Sequence, residues 1–208
     1  MTLSGQLWQN NLALAHSCRN HPFIQGIGDG SLDPRRFARY IAQDACFLEA
    51  TARAYSLAAA KAPDWEGVKA FHALAGATLD ELHLHEQYAA SLNVDIQRVM
   101  PEPATRRYID FLMAMTWGHD VGIAATAMAP CVRLYAFLGQ ELARNGLPEH
   151  RYSHWIGTYS APGIEALAQR LEGLVDRYVA LPEQATSTYR YAMLCEQEFF
   201  HAAWEEEG

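Results

Sequence analysis

The sequence contains no CxxC pair, although it has four cysteines, which are Cys18, Cys46, Cys131 and Cys195. Their wide spacing argues against a zinc knuckle and against a thioredoxin-like redox motif. A chain of 208 residues is large enough to bury a core without disulfides. We therefore expect free thiols, and a reducing cytoplasm is the location that fits them.

Positive charge is sparse and scattered along the chain. The net charge is -8, and the adjacent basic pairs are limited to Arg35-Arg36 and Arg106-Arg107. Nucleic-acid binding needs basic patches, so we do not expect it. The first residues lack a charged segment followed by an apolar one, so no signal peptide is predicted. The most apolar stretch, residues 121–128, is too short to span a bilayer, and no membrane association is expected.

Alternating strand patterns are also missing, because the apolar residues recur with a helical period nearly throughout. Half of the residues are hydrophobic and 19% are charged, which is typical of a folded globular protein. Gly26, Gly28 and Gly30 predict a turn. The sequence predicts one all-α domain over residues 1–208, a bundle of about eight helices. The predicted helices cover residues 4–20, 34–61, 66–92, 105–117, 120–144, 150–159, a segment from after 163 to about 180, and 183–205.

Two carboxyl groups interrupt the apolar faces of separate predicted helices. Asp44 falls within the apolar stripe of the second helix, and Glu196 within that of the last. Burying a lone carboxylate is costly unless it is paired or hydrogen-bonded. Cys131 lies on a third helix with Tyr135 one turn later on the same face. A buried cysteine alone is usually core packing, but with the two carboxyl groups it predicts a polar pocket inside the bundle.

Glu81 and His85 lie one helical turn apart and allow two interpretations. They can pair with each other locally, which is the interpretation we favour. Alternatively they offer two ligands to a di-iron centre in a helical bundle. Such a centre needs further ligands, but Glu141 has no matched histidine, and Glu196 and His201 are five residues apart on different faces. We therefore expect no metal site.

Aromatic residues suggest that the pocket takes a flat heterocycle. Tyr108 and Tyr135 lie on inward faces of their helices, and Tyr159 ends a short helix. A ring stacked among them would find hydrogen-bond partners in Asp44 and Glu196. Each tyrosine taken alone is equally compatible with core packing.

Several short motifs occur in one order across nearly the whole chain. They are His21-Pro22-Phe23, Gln43-Asp44, Glu81 with His85, Pro130-Cys131-x-x-x-Tyr135, Tyr152-x-x-Trp155-Ile156-x-x-Tyr159 and Glu196-x-x-Phe199-Phe200. Together they resemble the cysteine-containing type of the TenA family, thiaminase II. The resemblance implies a haem-oxygenase-like helical fold without haem or another cofactor, usually as a homotetramer. It also implies hydrolysis of 4-amino-5-aminomethyl-2-methylpyrimidine to the hydroxymethyl compound in thiamine salvage, and cleavage of thiamine.

The resemblance also assigns roles to the polar residues. It implies that Cys131 is the nucleophile that adds to the pyrimidine ring, and that Glu196 is the acid/base group at a ring nitrogen. It implies that Asp44 holds the amino group of the ring. These roles suit an aminopyrimidine, which presents donors and a basic nitrogen to carboxylates.

The resemblance further makes Tyr108, Tyr135 and Tyr159 the hydroxyl groups of the pocket, and Phe199 a ring that stacks on the substrate. Phe47 also belongs to the pocket, at a position where the family often has a tyrosine thought to activate the cysteine. The missing hydroxyl motivates a second hypothesis, a pyrimidine-binding or regulatory protein without catalysis. A di-metal oxidase on the same scaffold is a third.

Two other positions depart from the family pattern. Residues 132–134 replace a tryptophan often found after the cysteine, and Phe200 also occupies a position that is often tryptophan. Arg133 is two residues from Cys131 and should face away from it, so we do not expect it to lower the pKa of the thiol.

Overall fold

The computed structural model describes residues 1–91 and 98–205. Within those ranges the chain forms ten α-helices and no strand, which confirms the all-α bundle but exceeds the expected eight helices. The helices are α1 (Leu3–Asn10), α2 (Leu12–Arg19), α3 (Pro22–Asp29), α4 (Pro34–Lys61), α5 (Trp65–Ser91), α6 (Pro103–Gly118), α7 (Val121–Leu142), α8 (Ser153–Ser160), α9 (Pro162–Tyr178) and α10 (Pro182–Trp204). The predicted end of the third helix at Leu92 lies outside the described residues.

The first predicted helix is divided in two at Asn11. Its backbone leaves the helical region, with φ -114° and ψ 8°. The side-chain amide of Asn11 donates to the carbonyl oxygen of Leu7 over 2.8 Å. Asparagine competes for backbone hydrogen bonds in this way, which explains why a continuous apolar period does not give one continuous helix.

The glycine-rich segment after residue 21 is a helix and not the predicted turn. Pro22 occupies the first helical position, and the ring of His21 accepts a hydrogen bond from the Phe23 amide. Both features are typical of a helix start. The helix ends at Gly30, whose φ of 81° suits a residue without a side chain.

The helices from α4 to α10 pack around one interior. α4 packs along α5 and α6, while α7 packs against α8, α9 and α10 and also contacts α4. α4 starts where Asp33 accepts a hydrogen bond from the Arg35 amide and Pro34 follows it, as the sequence predicts. The inward faces of α4, α5 and α7 therefore meet near the middle of the molecule.

α7 is the apolar centre of the bundle. By length and composition this helix could cross a membrane. The expectation that the apolar stretch, residues 121–128, is too short to span a bilayer was therefore wrong. Its apolar window is 78% buried by the other helices, which is the environment of a core helix. The helix continues through Pro130, directly before Cys131.

Two glycines let α7 approach its neighbours backbone to backbone. A Cβ atom at Gly122 would lie 2.4 Å from the Tyr178 carbonyl oxygen, at the end of α9. A Cβ atom at Gly139 would lie 2.3 Å from the carbonyl carbon of Tyr159, at the end of α8. The second approach brings the ring of Tyr159 to 4.8 Å from that of Tyr135, between centroids.

Candidate active site

A cavity of about 240 Å³ lies between α4, α5, α7, α8 and α9. Its polar lining comprises three carboxyl groups, a thiol and several hydroxyls: Asp44, Asp80, Glu81, Cys131, Tyr55, Thr78, Tyr135, Thr158 and Tyr159. Its apolar lining is Leu48, Leu74, Ala77, Val132, Ile164 and Leu167. A mostly apolar cavity with a few convergent polar groups is the usual form of a small-molecule site.

A narrower recess adjoins this cavity and shares three of its residues, Asp44, Cys131 and Tyr135. The recess is too tight to admit a water molecule. Its remaining lining is Phe47, Tyr108, Glu196 and Phe199. The structure therefore brings all eight residues singled out from the sequence around two adjoining spaces, with Cys131 between them.

Glu196 is buried on α10 and is held by two partners. The hydroxyl of Tyr108 donates to Glu196 Oε1 over 2.8 Å, and the carboxyl group also shares a hydrogen bond with the Cys131 thiol. Burial raises the pKa of Glu196 to about 8, and the charge of Asp44 adds to the rise against these two hydrogen bonds. A carboxyl group with a pKa near neutral exchanges protons readily in both directions.

The surroundings of Cys131 favour the thiol over the thiolate. Removal from water raises the pKa of Cys131 well above its ordinary value, and the negative charges of Glu196 and Asp44 raise it further. A thiol of this kind reacts only when a neighbouring base takes its proton. Glu196 is in hydrogen-bonding contact and is the base that the geometry offers.

Phe47 packs on Tyr108, with 4.4 Å between ring centroids. Its side chain lines the recess and carries no hydroxyl to donate there. Tyr108 supplies the hydroxyl that fixes Glu196 instead. The departure at residue 47 thus leaves the hydrogen bond between thiol and carboxyl group in place.

Asp44 is paired with His85, a contact that the sequence analysis missed. His85 Nε2 lies 2.7 Å from Asp44 Oδ2, while His85 Nδ1 lies 3.1 Å from the backbone oxygen of Glu81. The expected local pairing of the Glu81 and His85 side chains is therefore wrong. The sequence does contain a signal for this contact, because Asp44 and His85 both lie on the inward faces of two long consecutive helices.

Both ring nitrogens of His85 face acceptors, so the protonated imidazole satisfies both contacts. Burial alone would lower the pKa of His85, but the hydrogen bond and the charge of Asp44 raise it above its ordinary value of 6.5. The result is a buried ion pair that orients the Asp44 carboxylate towards the cavity.

Glu81 reaches across the cavity to α8. The hydroxyl of Tyr159 donates to Glu81 Oε1 over 2.6 Å. Burial and the charge of Asp44 raise the pKa of Glu81, while His85 and the Tyr159 hydroxyl oppose the rise. The carboxyl group that we expected to be structural is therefore part of the cavity wall.

Tyr135 is held by a hydrogen-bonded chain that includes two residues outside our predicted site. Trp155 Nε1 donates to the Tyr40 hydroxyl over 3.3 Å, and the Tyr40 hydroxyl donates to that of Tyr135 over 3.1 Å. Phe200 packs near the Tyr135 ring, with 5.8 Å between centroids. Tyr40 lies on the apolar stripe of α4, where the sequence gives no sign of a polar role.

Arg133 faces away from the site, as expected. Its guanidinium group binds Glu172 through Nε at 2.6 Å and Glu165 through Nη1 at 2.8 Å. Both carboxylates belong to α9, so Arg133 ties α7 to the helix that carries Ile164 and Leu167 in the cavity wall. The neighbouring Val132 lines the cavity directly.

The two candidate metal ligands of the di-metal hypothesis, Glu81 and His85, have other partners in the structure. Within residues 1–91 and 98–205 no group of three or more His, Cys, Asp or Glu side chains is arranged to hold a metal ion. Glu81 and His85 are directed to Tyr159 and Asp44. The described part of the chain thus offers no ready ligand set for a di-iron centre.

Sequence comparisons match this chain to one family model, described as the TENA/THI-4/PQQC family, over residues 8–207. A "Thiamine biosynthesis multifunctional protein ThiED" from Corynebacterium efficiens is 34% identical over 95% of this chain and 28% of its own length. An "Aminopyrimidine aminohydrolase" from Helicobacter pylori is 28% identical over 99% of this chain and 98% of its own. The chain spans 28% and 37% of the first two curated relatives that it matches.

Solved structures agree with the fold. A TenA homologue from P. horikoshii aligns with a TM-score of 0.90 at 21% identity, over 98% of this chain and 99% of its own. A domain from Shewanella denitrificans, described as having a heme oxygenase-like fold, aligns with a TM-score of 0.77 at 14% identity, over 96% and 91%. The haem-oxygenase-like fold that the sequence motifs imply is confirmed.

Proposed function

Because the chain belongs to the TENA/THI-4/PQQC family, we propose that it is an aminopyrimidine aminohydrolase of the thiaminase II type. It converts 4-amino-5-aminomethyl-2-methylpyrimidine to the hydroxymethyl compound for thiamine salvage, and thiamine is a second substrate. The observation that carries this proposal is the position of the Cys131 thiol and the Glu196 carboxyl group in one tight recess, at the edge of a cavity bordered by Asp44. A nucleophile with an adjacent base is the arrangement that covalent catalysis requires.

The cavity suits a small basic ring. Among the described residues its lining includes Asp44, Asp80 and Glu81 and no lysine or arginine. Carboxyl oxygens accept hydrogen bonds from an amine or from a protonated ring nitrogen. His85 holds one oxygen of Asp44, and the other oxygen accepts a hydrogen bond from the amino group of the ring. Tyr135 and Tyr159 border the ring, and Phe199 stacks from the side of the recess.

The chemistry then follows from the positions of the thiol and the carboxyl groups. Glu196 takes the proton of Cys131, and the thiolate forms a bond to a ring carbon while that proton passes to a ring nitrogen. The electrons of the ring, which is no longer aromatic after the addition, expel the leaving group from the exocyclic methylene. Water adds to the methylene carbon and leaves a proton behind. The carbon–sulfur bond then breaks, restoring the aromatic ring and the Cys131 thiol.

The non-catalytic alternative has lost its main support. It was motivated by the missing hydroxyl at Phe47, but the thiol has Glu196 as a base without it. The aminopyrimidine hydrolase is therefore the function that the site favours.

We also propose that the protein is a cytoplasmic homotetramer, as the family resemblance implies. Exposed apolar side chains such as Trp65 and Trp117, which are 76% and 68% exposed, are available for subunit contacts. Light scattering in solution tests the subunit number.

The direct test of function is turnover of the aminomethyl pyrimidine by the purified protein, followed as ammonia and hydroxymethyl product. Cys131→Ala and Glu196→Gln should each lower kcat at least 100-fold, since each removes one half of the nucleophile–base pair. Cys46→Ala is the matched control, because that thiol lies outside the cavity. Wild-type rates in both site variants would contradict the proposal.

A further inference from the structure

The site contains two pairs of a carboxyl group and a tyrosine, and the proposed reaction so far uses only one of them. The Tyr108 hydroxyl donates to Glu196 over 2.8 Å, and the Tyr159 hydroxyl donates to Glu81 over 2.6 Å. The first pair joins α6 to α10 at the recess, and the second joins α5 to α8 at the cavity. Cys131 borders both of these spaces.

The second pair lies where the leaving group must pass. The recess at Glu196 is too tight for a water molecule, whereas the cavity at Glu81 has a volume of about 240 Å³. A departing amine and the water that replaces it therefore have room only on the side of Glu81.

Glu81 is also the carboxyl group on that side that is suited to proton transfer. Asp44 is paired with the protonated imidazole of His85, and Asp80 is exposed to solvent. Glu81 is partly buried, and its only hydrogen-bond donor among the described contacts is a neutral hydroxyl.

We propose that Glu81 is a second catalytic carboxyl group, which protonates the departing amine and takes a proton from the water that replaces it. This role rests on the proposed function. As the bond between the methylene carbon and nitrogen breaks, its electron pair goes to nitrogen, and the carboxyl proton of Glu81 makes the product ammonia. The resulting carboxylate accepts one proton from water as the oxygen bonds to the methylene. The substrate amine and water thus become alcohol and ammonia, and Glu81 returns to its starting state.

The electrostatics of the site agree with this role. Burial and the charge of Asp44 raise the pKa of Glu81 above its ordinary value, so the group keeps its proton at a higher pH than a free glutamate does. General acid–base catalysis is most effective when the pKa of the group approaches the operating pH. The Tyr159 hydroxyl stabilises the carboxylate that forms once the proton has left.

A structural role for Glu81, as a link between α5 and α8, predicts a different result. The two roles can be distinguished by comparing two substrates that differ in their leaving group. An amine leaves as ammonia only if it receives a proton, whereas the thiazolium of thiamine leaves as a neutral thiazole without one. Loss of a proton donor should therefore slow amine hydrolysis and spare thiamine cleavage, while loss of a structural link should slow both.

The experiment measures kcat of Glu81→Gln on both substrates, with Glu49→Gln as the control. Glu49→Gln makes the same chemical change at an exposed glutamate that lines neither the cavity nor the recess. Glu81→Gln should lower kcat on the aminomethyl pyrimidine by about 10²- to 10⁴-fold and on thiamine by less than about tenfold, while Glu49→Gln stays within about twofold on both. Retained thiamine cleavage also shows that the variant is folded.

Equal losses on both substrates, or no loss on either, would overturn the role of Glu81 while leaving the proposed function intact. A wild-type protein that turns over neither substrate would overturn both. If Glu81→Gln does not fold, a series of substituted amines on the wild-type enzyme decides. Rates that depend little on the basicity of the leaving amine support an acid at this position, and a steep dependence contradicts it.

Discussion

His85 Nε2 lies 2.7 Å from Asp44 Oδ2, joining the two longest helices of the described chain inside the bundle. Both side chains are almost fully buried. The pair therefore does two things at once, because it connects α4 to α5 and fixes the carboxylate that we propose binds the ring. A buried charge that loses its partner is costly, so the two roles are expected to fail together.

His85→Ala should lower the free energy of unfolding by about 3 kcal/mol, because Asp44 is left in the interior without its cationic partner. The same variant should raise KM for the aminomethyl pyrimidine, since the carboxylate is no longer oriented. Urea unfolding and steady-state kinetics measure the two effects. The double variant His85→Leu with Asp44→Leu is the control for stability, and it should regain most of the loss. A single variant as stable as the wild type would show that the pair does not hold α4 to α5.

Stability should fall as the pH rises from about 4.5 to about 8. The folded protein holds the proton of Glu196 up to a pKa of about 8, whereas the ordinary value is 4.5. Between these limits the folded state binds more protons than the unfolded chain, so each rise in pH favours unfolding. The raised pKa of His85 acts in the same direction.

Glu196→Gln isolates the contribution of this group, because glutamine resembles the protonated carboxyl group at every pH. Relative to the wild type, the variant should gain stability by on the order of a few kcal/mol between pH 4.5 and 8.5. Urea unfolding at several pH values measures the difference. A constant difference over this range would mean that Glu196 titrates as an ordinary glutamate.

Phe47→Tyr should make the thiol more acidic. The new hydroxyl enters the recess that Cys131 and Glu196 border, where it adds a donor for a developing thiolate. Alkylation of Cys131 by iodoacetamide should then reach half its maximal rate at a lower pH than in the wild type. The measurement uses a Cys46→Ala background to remove a second accessible thiol. An unchanged alkylation profile would show that the hydroxyl does not reach the sulfur.

Gly139→Ala should displace α8 and lower both stability and activity. The new methyl group would lie 2.3 Å from the backbone of Tyr159, so α8 must move away from α7. Such overpacking typically costs about 1–3 kcal/mol. It also moves the tyrosine that contacts Glu81.

Gly173→Ala is the matched control, because no atom lies within 4 Å of its added methyl group. In that exposed helical position alanine should leave activity unchanged and add up to about 1 kcal/mol of stability. Thermal unfolding compares the two variants. Equal effects at both glycines would mean that the close approach of α8 to α7 does not matter.

The sequence predicts the site better than it predicts the helix ends around it. Asp44, Cys131 and Glu196 could be found because a polar group on an apolar stripe is conspicuous, and the periodicity locates the stripe. The break at Asn11 and the helix through Gly26 were not predicted. Local side-chain hydrogen bonds and tertiary packing decide whether a helix breaks or continues at these residues, and the periodicity contains no information about either.

Contacts between side chains of different helices could not be predicted from the sequence, for a different reason. His85 has an equally suitable local partner in Glu81, and only the packing of α4 on α5 selects Asp44 instead. Tyr40 gave no signal, since a buried tyrosine looks the same whether its hydroxyl is idle or donates to Tyr135. The sequence of α7 likewise does not distinguish a core helix from one that crosses a membrane. Only the packing of the surrounding helices shows that its apolar surface is covered.

The two backbone contacts of α7, at Gly122 and Gly139, determine which part of the molecule can move. They immobilise the helix on both sides of Cys131, in a region that is buried almost throughout. Amide hydrogens around the thiol should therefore be among the last to exchange with deuterated solvent. Any opening that admits a substrate is then expected from α5, a helix of the cavity that neither glycine ties to α7, while Cys131, the proposed nucleophile, stays in place.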